Sequence, residues 1–392
     1  MDIVIVSATR TPVGSLSGSL SSLSAPQLGA IAIKSALDRA GVSADQIDEV
    51  IMGNVLSAGV GQAPARQASI FAGLPSNVAC LTINKVCGSG LKAVMLAVQS
   101  IKAGDSEIVV AGGMESMSLS PHLLEKSRSG YRMGNFQATD SMIKDGLWDP
   151  YKNYHMGNAG EICVKKYEFT REEQDNFAIK SYEKALNSIK EGFFKAEITP
   201  VEIAGRKGEV KIVDTDEDPF KSDLAKIPSL KPAFDKNGTI TAANAPGVND
   251  GASATVIMSK EKADSLGLKP MAKIICSATH SQDPEWFTTA PVYAMKKALE
   301  KANLSVSDID LFEINEAFSN VTMAAIKELE LDNSKVNING GAVALGHPIG
   351  ASGARILTTL LYALKRTNKK YGMASLCIGG GEAVAMIVEN LE

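Results

Sequence analysis

The 392-residue sequence lacks the features that mark most specialised protein classes. Aromatic residues make up 5% of the chain, histidine occurs four times, and the five cysteines form no Cys-x-x-Cys pair. No apolar run approaches the roughly 20 residues that a membrane-spanning helix requires. Lysine and arginine number 40 against 44 acidic residues, so the net charge of −4 offers no field that attracts nucleic acid or anionic lipid. We therefore expect neither a nucleic-acid nor a membrane partner.

From both ends of the sequence we expect no signal for export or import. The first residues, MDIVIVSATRTPVG, enter a β-type run at once and leave no room for a basic presequence. The last residues, VENLE, match no peroxisomal tripeptide. An odd number of scattered cysteines is most simply explained by reduced thiols. We expect a cytoplasmic protein.

A long chain with 45% hydrophobic residues can bury more than one ordinary core, and an internal repeat indicates how. Residues 35–48 (SALDRAGVSADQID) resemble residues 297–310 (KALEKANLSVSDID), which lie 262 positions later. Each copy predicts a helix that ends near Gly41 or Asn303, then a polar link and a strand. The sequence thus predicts two similar halves.

A second pair of segments recurs in the same order. Residues 107–116 (EIVVAGGMES) resemble residues 374–383 (ASLCIGGGEA), and both are predicted to be short strands that break at a glycine pair. We therefore predict a duplicated βαβ-rich domain whose halves pack together, with a site between them.

The region from Leu119 to about residue 249 breaks the repeat and is richer in charge. It contains a predicted helix over residues 170–192, in which Thr170 is the N-cap and Glu173 completes a capping box. An insertion of this size that folds is often a lid or a binding appendage. The alternative is a subdomain without a function of its own.

Cys87 lies in NKVCGSG, directly before a predicted helix. Free amides and the positive end of the helix dipole at that place favour a thiolate and lower the pKa of the cysteine. Cys87 is therefore a candidate nucleophile. The alternative is a buried structural cysteine.

His347 lies in the glycine-rich turn GGAVALGHPIGASG rather than on an apolar helix face. An imidazole there could take the proton of a thiol and later donate to a developing enolate oxygen. The loop lacks the pattern GxxxxGK[ST], which argues against nucleotide hydrolysis.

Two further segments could contribute polar groups. Cys377 ends a strand and is followed by three glycines, whose exposed amides could form one wall of an oxyanion hole. Asn315, in EINEAF, could hold a water or a carbonyl. The alternatives are an inert thiol and a turn-forming asparagine.

Together these segments resemble the thiolase family, in particular its biosynthetic acetoacetyl-CoA branch. The motifs that carry the resemblance are RTPVG, NKVCGSG, YHMG, PAFDKNGTITAAN, GVNDGA, INEAF, GGAVALGHPIGASGAR and CIGGGEA. The resemblance implies an α/β fold with a duplicated, five-layered αβαβα core and an inserted loop domain. It implies an N-terminal core half at residues 1–118, completed by 250–268, an inserted CoA-binding domain at 119–249 and a C-terminal half at 269–392.

The same resemblance assigns a role to each polar group. Cys87 would carry an acetyl group as a thioester, His347 would activate it, and Cys377 would be the acid/base at the α-carbon of a second acetyl-CoA. Asn315 would fix a water that joins His347 in holding one thioester oxygen. The amides of Cys87 and Gly379 would form a second oxyanion hole.

The implied activity is that of an acetyl-CoA C-acetyltransferase, which converts two acetyl-CoA into acetoacetyl-CoA and CoA with ping-pong kinetics. No metal or redox cofactor is expected. Residues 120–140 resemble a tetramerisation loop, so we expect a homotetramer. The open alternatives are a degradative 3-ketoacyl-CoA thiolase for longer chains and an inactive acyl-CoA-binding scaffold.

The resemblance also places side chains around the acyl group. His155 and Met156 in YHMG match the short-chain branch, and Leu147, Phe234 and Phe318 are further candidates for the pocket, although ordinary core packing is their alternative role. Some segments depart from the family pattern. Pro246 stands where many relatives have a serine that contacts the pantetheine arm, and HMGNAGEI replaces the more frequent HMGxTAEN. The run DPEWFTTAPVY resembles branches in which a monovalent cation is sometimes bound nearby.

Overall fold

The computed structural model describes residues 1–205 and 208–392. Its strands are β1 Ile3–Arg10, β2 Gly14–Ser15, β3 Glu49–Gly53, β4 Ala79–Ile83, β5 Ile108–Ser116, β6 His122–Leu123, β7 Thr139–Asp140, β8 Trp148–Asp149, β9 Tyr154–His155, β10 Val201–Ala204, β11 Val210–Val213, β12 Asn249–Ser259, β13 Ala272–Ser281, β14 Leu311–Ile314, β15 Tyr371–Ile378 and β16 Glu382–Asn390. Its α-helices are α1 Ala25–Ala40, α2 Pro64–Phe71, α3 Ser89–Ala103, α4 Met156–Tyr167, α5 Arg171–Lys190, α6 Lys260–Ser265, α7 Ala290–Ala302, α8 Ser319–Leu329, α9 Ala342–Leu345 and α10 Ser352–Thr367.

The large sheet consists of two half-sheets that meet at one edge. The first half has the strand order β4-β3-β5-β12-β1 and the second has β13-β16-β15-β14. β3 runs parallel to β4 and β5, and β14 runs parallel to β15. The two halves join where Ile3 of β1 lies opposite Ile274 of β13. A continuous chain of strands therefore links the two copies of the repeat.

The helices lie in three layers around these half-sheets. α3 and α10 share one buried cluster with residues of both half-sheets, such as Val109 and Leu376. α1 packs with β1 and β12 in a second cluster, and α7 packs with β14 and β16 in a third. The order is helix, sheet, helix pair, sheet, helix, which confirms the five-layered α/β architecture. Each buried leucine of the central helices contributes about 1.5–3 kcal/mol of transfer free energy to this packing.

Local signals account for the repeat. α1 ends at Gly41 and α7 ends at Asn303, both in the left-handed region, with φ of +66° and +54°. Each is followed by a 3₁₀ turn, Ala44–Gln46 or Val306–Asp308, and then by β3 or β14. The predicted repeat of helix, link and strand is confirmed.

The predicted break at the first glycine pair is wrong. β5 runs through Gly112 and Gly113 without interruption. A side chain at Gly112 would lie 2.0 Å from the carbonyl oxygen of Ser253, and one at Gly113 would lie 2.0 Å from that of Gly350. These glycines therefore allow a neighbouring strand and loop to approach. In the second copy the turn does exist, because Gly380 and Gly381 have φ of +91° and +87°.

The inserted region contributes α4, α5 and three short hairpins. α5 begins as predicted, with Thr170 as N-cap and Glu173 completing the capping box. The boundaries at 118/119 and 249/250 stay a prediction. Within the described residues, no helix combines the length and the apolar character needed to cross a membrane.

Candidate active site

A cavity of about 220 Å³ lies between the two halves and the inserted region. Val86 and Cys87 reach it from the first half, and His347 and Gly379 reach it from the second. The inserted region closes it with mostly apolar side chains. The structure thus brings together three of the five predicted polar positions in one small, largely apolar chamber.

Cys87 sits on a tight turn before α3. Val86 has a φ of +44°, which is a strained conformation for a β-branched residue, and Gly88 caps the helix. The amides of Gly379 and of Cys87 itself point at the Cys87 sulfur. Burial nevertheless raises the pKa of Cys87 to about 11, and these amides offset only part of that rise. The expected lowering of this pKa is wrong, and the resting group is a thiol that needs a base.

His347 is held by both its backbone and its ring. Its amide donates to Asn249 Oδ1 at 2.9 Å, and its Nδ1 lies 2.6 Å from the hydroxyl oxygen of Ser352. Burial lowers the pKa of His347 to about 3, with the Arg355 charge as the second cause. The ring is therefore neutral at physiological pH.

The hydrogen-bond network assigns the tautomer of this ring. The Ser352 hydroxyl donates its single proton to the carbonyl oxygen of Pro348 at 2.9 Å. It can then only accept from His347, so Nδ1 carries the proton and Nε2 has the lone pair. Nε2 is buried and has no hydrogen-bond partner within the described part of the chain. His347 is thus arranged as a proton acceptor, and Ser352 is a positioning residue that sequence reasoning missed.

Cys377 and Asn315 are close to this chamber, but neither is among the described residues that line it. Cys377 is fully buried at the end of β15, in a cluster with Met156 and Phe318. Burial, and next a negative charge on the nearby Cys87, hold the pKa of Cys377 well above its usual value. Asn315 follows β14, and neither atom of its buried amide has a hydrogen-bond partner among the described residues. Such a free buried amide suits a group that holds water.

The predicted acyl-binding residues all line the chamber. His155 caps α4 by accepting from the Gly157 amide at 3.0 Å, and its ring stacks on Phe234 at 4.7 Å. Phe234 meets Phe318 edge to face at 6.0 Å. Two other predicted residues, Leu147 and Met156, complete this wall, and Pro246 lies beside it. The aromatic walls leave room for a small acyl group.

Two other residues escaped the sequence reasoning. Phe287 lines the chamber and meets Phe318 at 6.4 Å, yet its segment carried only a cation prediction. Glu115, at the end of β5, accepts from Asn54 Nδ2 at 2.7 Å and from the Gly350 amide at 2.8 Å. It therefore joins a loop of the first half to the loop after His347. An acidic residue near the end of a largely apolar strand was the only signal for it.

The fold and the site define a duplicated α/β protein with a cysteine and a histidine in a cleft between its halves. The thiolase N-terminal domain model matches residues 3–261, and the thiolase C-terminal domain model matches residues 268–390. The chain belongs to the thiolase family.

Known proteins resemble it over their full length. It is 57% identical to the acetyl-CoA acetyltransferase of Cupriavidus necator, with 99% of each chain covered. It is 53% identical to that of Allochromatium vinosum, with 100% of this chain and 99% of the relative covered. A crystal structure of the Acat5 thiolase from Ascaris suum in complex with coenzyme A matches with a TM-score of 0.95, 46% identity and all of both chains covered.

Proposed function

We propose that this protein is an acetyl-CoA C-acetyltransferase, which joins two acetyl-CoA into acetoacetyl-CoA and CoA and also runs in reverse. The observation that carries the proposal is the chamber in which Cys87, His347 and the Gly379 amide meet. The relatives named above, which carry that activity in their names, support the substrate.

In the first half-reaction His347 Nε2 takes the proton of Cys87, and the sulfur attacks the carbonyl carbon of acetyl-CoA. The amides of Cys87 and Gly379 donate hydrogen bonds to the developing oxyanion, since they already point at the sulfur. The carbon–sulfur bond to CoA then breaks. Cys377, which enters as a thiol because of its high pKa, gives its proton to the departing CoA thiolate. An acetyl-Cys87 thioester, a protonated His347 and a Cys377 thiolate remain.

In the second half-reaction a new acetyl-CoA enters the chamber. The Cys377 thiolate removes a proton from its α-carbon, and its high pKa makes it a strong base. Asn315, through a water, and His347 hold the enolate oxygen. The enolate carbon attacks the acetyl group, the bond to Cys87 breaks, and His347 returns its proton to that sulfur. The protons balance, and the proposed cycle uses no metal or redox cofactor.

The size of the chamber supports short acyl chains. Three aromatic side chains in contact close the wall that a longer chain would have to cross: His155 stacks on Phe234, and Phe234 meets Phe318 edge to face. A measurement of kcat/KM for thiolysis of acetoacetyl-CoA and of 3-ketooctanoyl-CoA tests this point. We expect a clear preference for acetoacetyl-CoA, whereas preference for the longer substrate would instead assign a degradative role.

The covalent step has a direct test. The protein is incubated with acetyl-CoA and weighed by mass spectrometry, with Cys87→Ser as the matched control. We expect one acetyl group on the wild type and none on the variant. The absence of an adduct, or one that survives the substitution, would contradict the mechanism and favour an acyl-CoA-binding scaffold.

Assembly and location are further proposals. Residues 120–140 contain a small hairpin of β6 and β7 and exposed apolar side chains such as Met133 and Phe136. Exposed apolar surface of this kind is typical of contact regions, which supports a homotetramer. Light scattering tests it, and a monomeric mass would refute it. We propose a cytoplasmic location, which fractionation would check.

A further inference from the structure

Two turns from opposite halves meet beside the nucleophile. One turn, residues 84–89, carries Cys87, and the other, residues 379–381, supplies the Gly379 amide that points at its sulfur. The contact is close, since a side chain at Gly88 would lie 2.4 Å from Ile378 Cδ1. The direction of the Gly379 amide relative to the Cys87 sulfur therefore depends on how the two turns lie against each other.

Bonds within the first turn hold its shape. The Val86 amide donates to Asn84 Oδ1 at 2.9 Å, and the Ser89 hydroxyl donates to the Val86 carbonyl at 2.7 Å. The Lys85 amide donates to the Ser89 oxygen at 2.8 Å. A strained φ at Val86 persists only where the surroundings over-determine it. These bonds fix the shape of the turn but not its distance from the other half.

An ion pair spans that distance. Lys85 Nζ lies 2.5 Å from Glu382 Oε2, so it joins the residue two positions before Cys87 to the first residue of β16. The other carboxylate oxygen accepts from the Ser281 hydroxyl at 2.8 Å. Glu382 is thus held from its own half and reaches across to the other. The two side chains are 21% and 32% exposed, which limits screening by solvent.

We propose that the Lys85–Glu382 ion pair is a positioning element that keeps the turn of Cys87 in register with the Gly379 amide. The inference rests on the proposed thiolase reaction. The intact pair has no net charge, so its effect on Cys87 is geometric rather than electrostatic. Misplacement of catalytic groups by about 1 Å can reduce turnover by about 100-fold.

The test uses four variants in the thiolysis of acetoacetyl-CoA. Lys85→Met and Glu382→Gln each break the pair, and the double swap Lys85→Glu with Glu382→Lys restores it with reversed polarity. We expect kcat to fall about tenfold in each single variant, KM to change less than about twofold, and the swap to recover most of the loss. Lys262→Met is the matched control, because it breaks a 2.6 Å ion pair with Glu107 away from the chamber, and its kcat should equal that of the wild type.

The outcomes separate the explanations. Wild-type kcat in both single variants, or a swap as poor as either of them, would overturn the proposal. The proposal would also be overturned if Lys85→Met and Glu382→Gln shifted the pH dependence of Cys87 alkylation in opposite directions and only one of them lowered kcat. Such a result would show that the pair acts on Cys87 through its charges. Unfolding midpoints of the variants show whether a loss of kcat reflects misfolding. An inactive wild type would instead refute the proposed function itself.

Discussion

The hydroxyl of Ser352 should be necessary for His347 to act as a base. Ser352→Ala removes the 2.6 Å contact with Nδ1 and leaves that buried N–H without an acceptor. A buried donor that loses its partner costs about 1–3 kcal/mol. The ring can avoid this cost by moving its proton to Nε2, which removes the lone pair that the proposed mechanism uses to take the Cys87 proton.

That cost converts directly into rate. If the whole cost of about 1–3 kcal/mol is added to the activation free energy, kcat/KM for thiolysis of acetoacetyl-CoA should fall about 5- to 150-fold, since about 1.4 kcal/mol corresponds to a factor of ten. The rate of Cys87 alkylation by iodoacetamide at pH 10 should change little, because it depends on hydroxide-driven ionisation rather than on His347.

Ser253→Ala is the control for this substitution. Ser253 is equally buried and its hydroxyl donates to the Thr9 carbonyl at 2.9 Å, within the sheet. We expect a comparable loss in the free energy of unfolding with unchanged kcat/KM. If Ser352→Ala retains kcat/KM within twofold of the wild type, the tautomer assignment is wrong.

Two further predictions concern the thiol and the acyl wall. Because burial holds the pKa of Cys87 near 11, the rate of Cys87 alkylation should keep rising between pH 9 and pH 10.5. The variant Cys87→Ser shows which part of the alkylation comes from this thiol. A plateau at or below pH 9 would contradict the raised pKa. Phe234→Ala removes the ring that stacks on His155, so turnover of 3-ketohexanoyl-CoA relative to acetoacetyl-CoA should rise about tenfold, and an unchanged ratio would show that this ring does not limit chain length.

The parts of the fold that could be predicted are those with local causes. Gly41 and Asn303 end their helices because a left-handed residue satisfies the last carbonyls, and Thr170 and Glu173 cap α5 through bonds three residues apart. Such signals are complete within a few residues, so they can be read from the chain. The five-layered arrangement required the family resemblance, because no local pattern states which faces of α3 and α10 meet.

The glycines of β5 illustrate the opposite case. A glycine pair such as Gly112 and Gly113 is typical of a turn. Here glycine is required because the backbone of Ser253 and Gly350, which lie far away in the chain, approaches closely. A close approach by distant backbone leaves the same signature as a break in a strand. Only the packed structure distinguishes the two.

The candidate site divides in the same way. Cys87 and His347 stood out because each occupies a glycine-rich turn, where a reactive side chain can be reached. The roles of Ser352 and Glu115 depend on contacts that only the folded chain shows. Ser352 bonds to the ring of His347, and Glu115 bonds to loops of both halves. The pKa of Cys87 also depends on burial, which outweighs the amides that led us to expect a thiolate.

The duplication itself explains why the chamber has different chemistry on its two sides. β5 and β15 are equivalent strands, and Glu115 and Cys377 both lie near their strand ends, although the pairing of each strand with its parallel neighbour matches Glu115 to Ile378, one residue after Cys377. In the first half this strand end carries a carboxylate, Glu115, whose bonds hold the loop of Gly350. In the second half it carries the buried thiol of Cys377, whose pKa lies well above its usual value. One copy of the strand end thus supports the site while the other is free for the proposed acid/base role. A symmetric pair of carboxylates would place a second buried charge beside Cys87 and raise its pKa further, because like charges oppose ionisation.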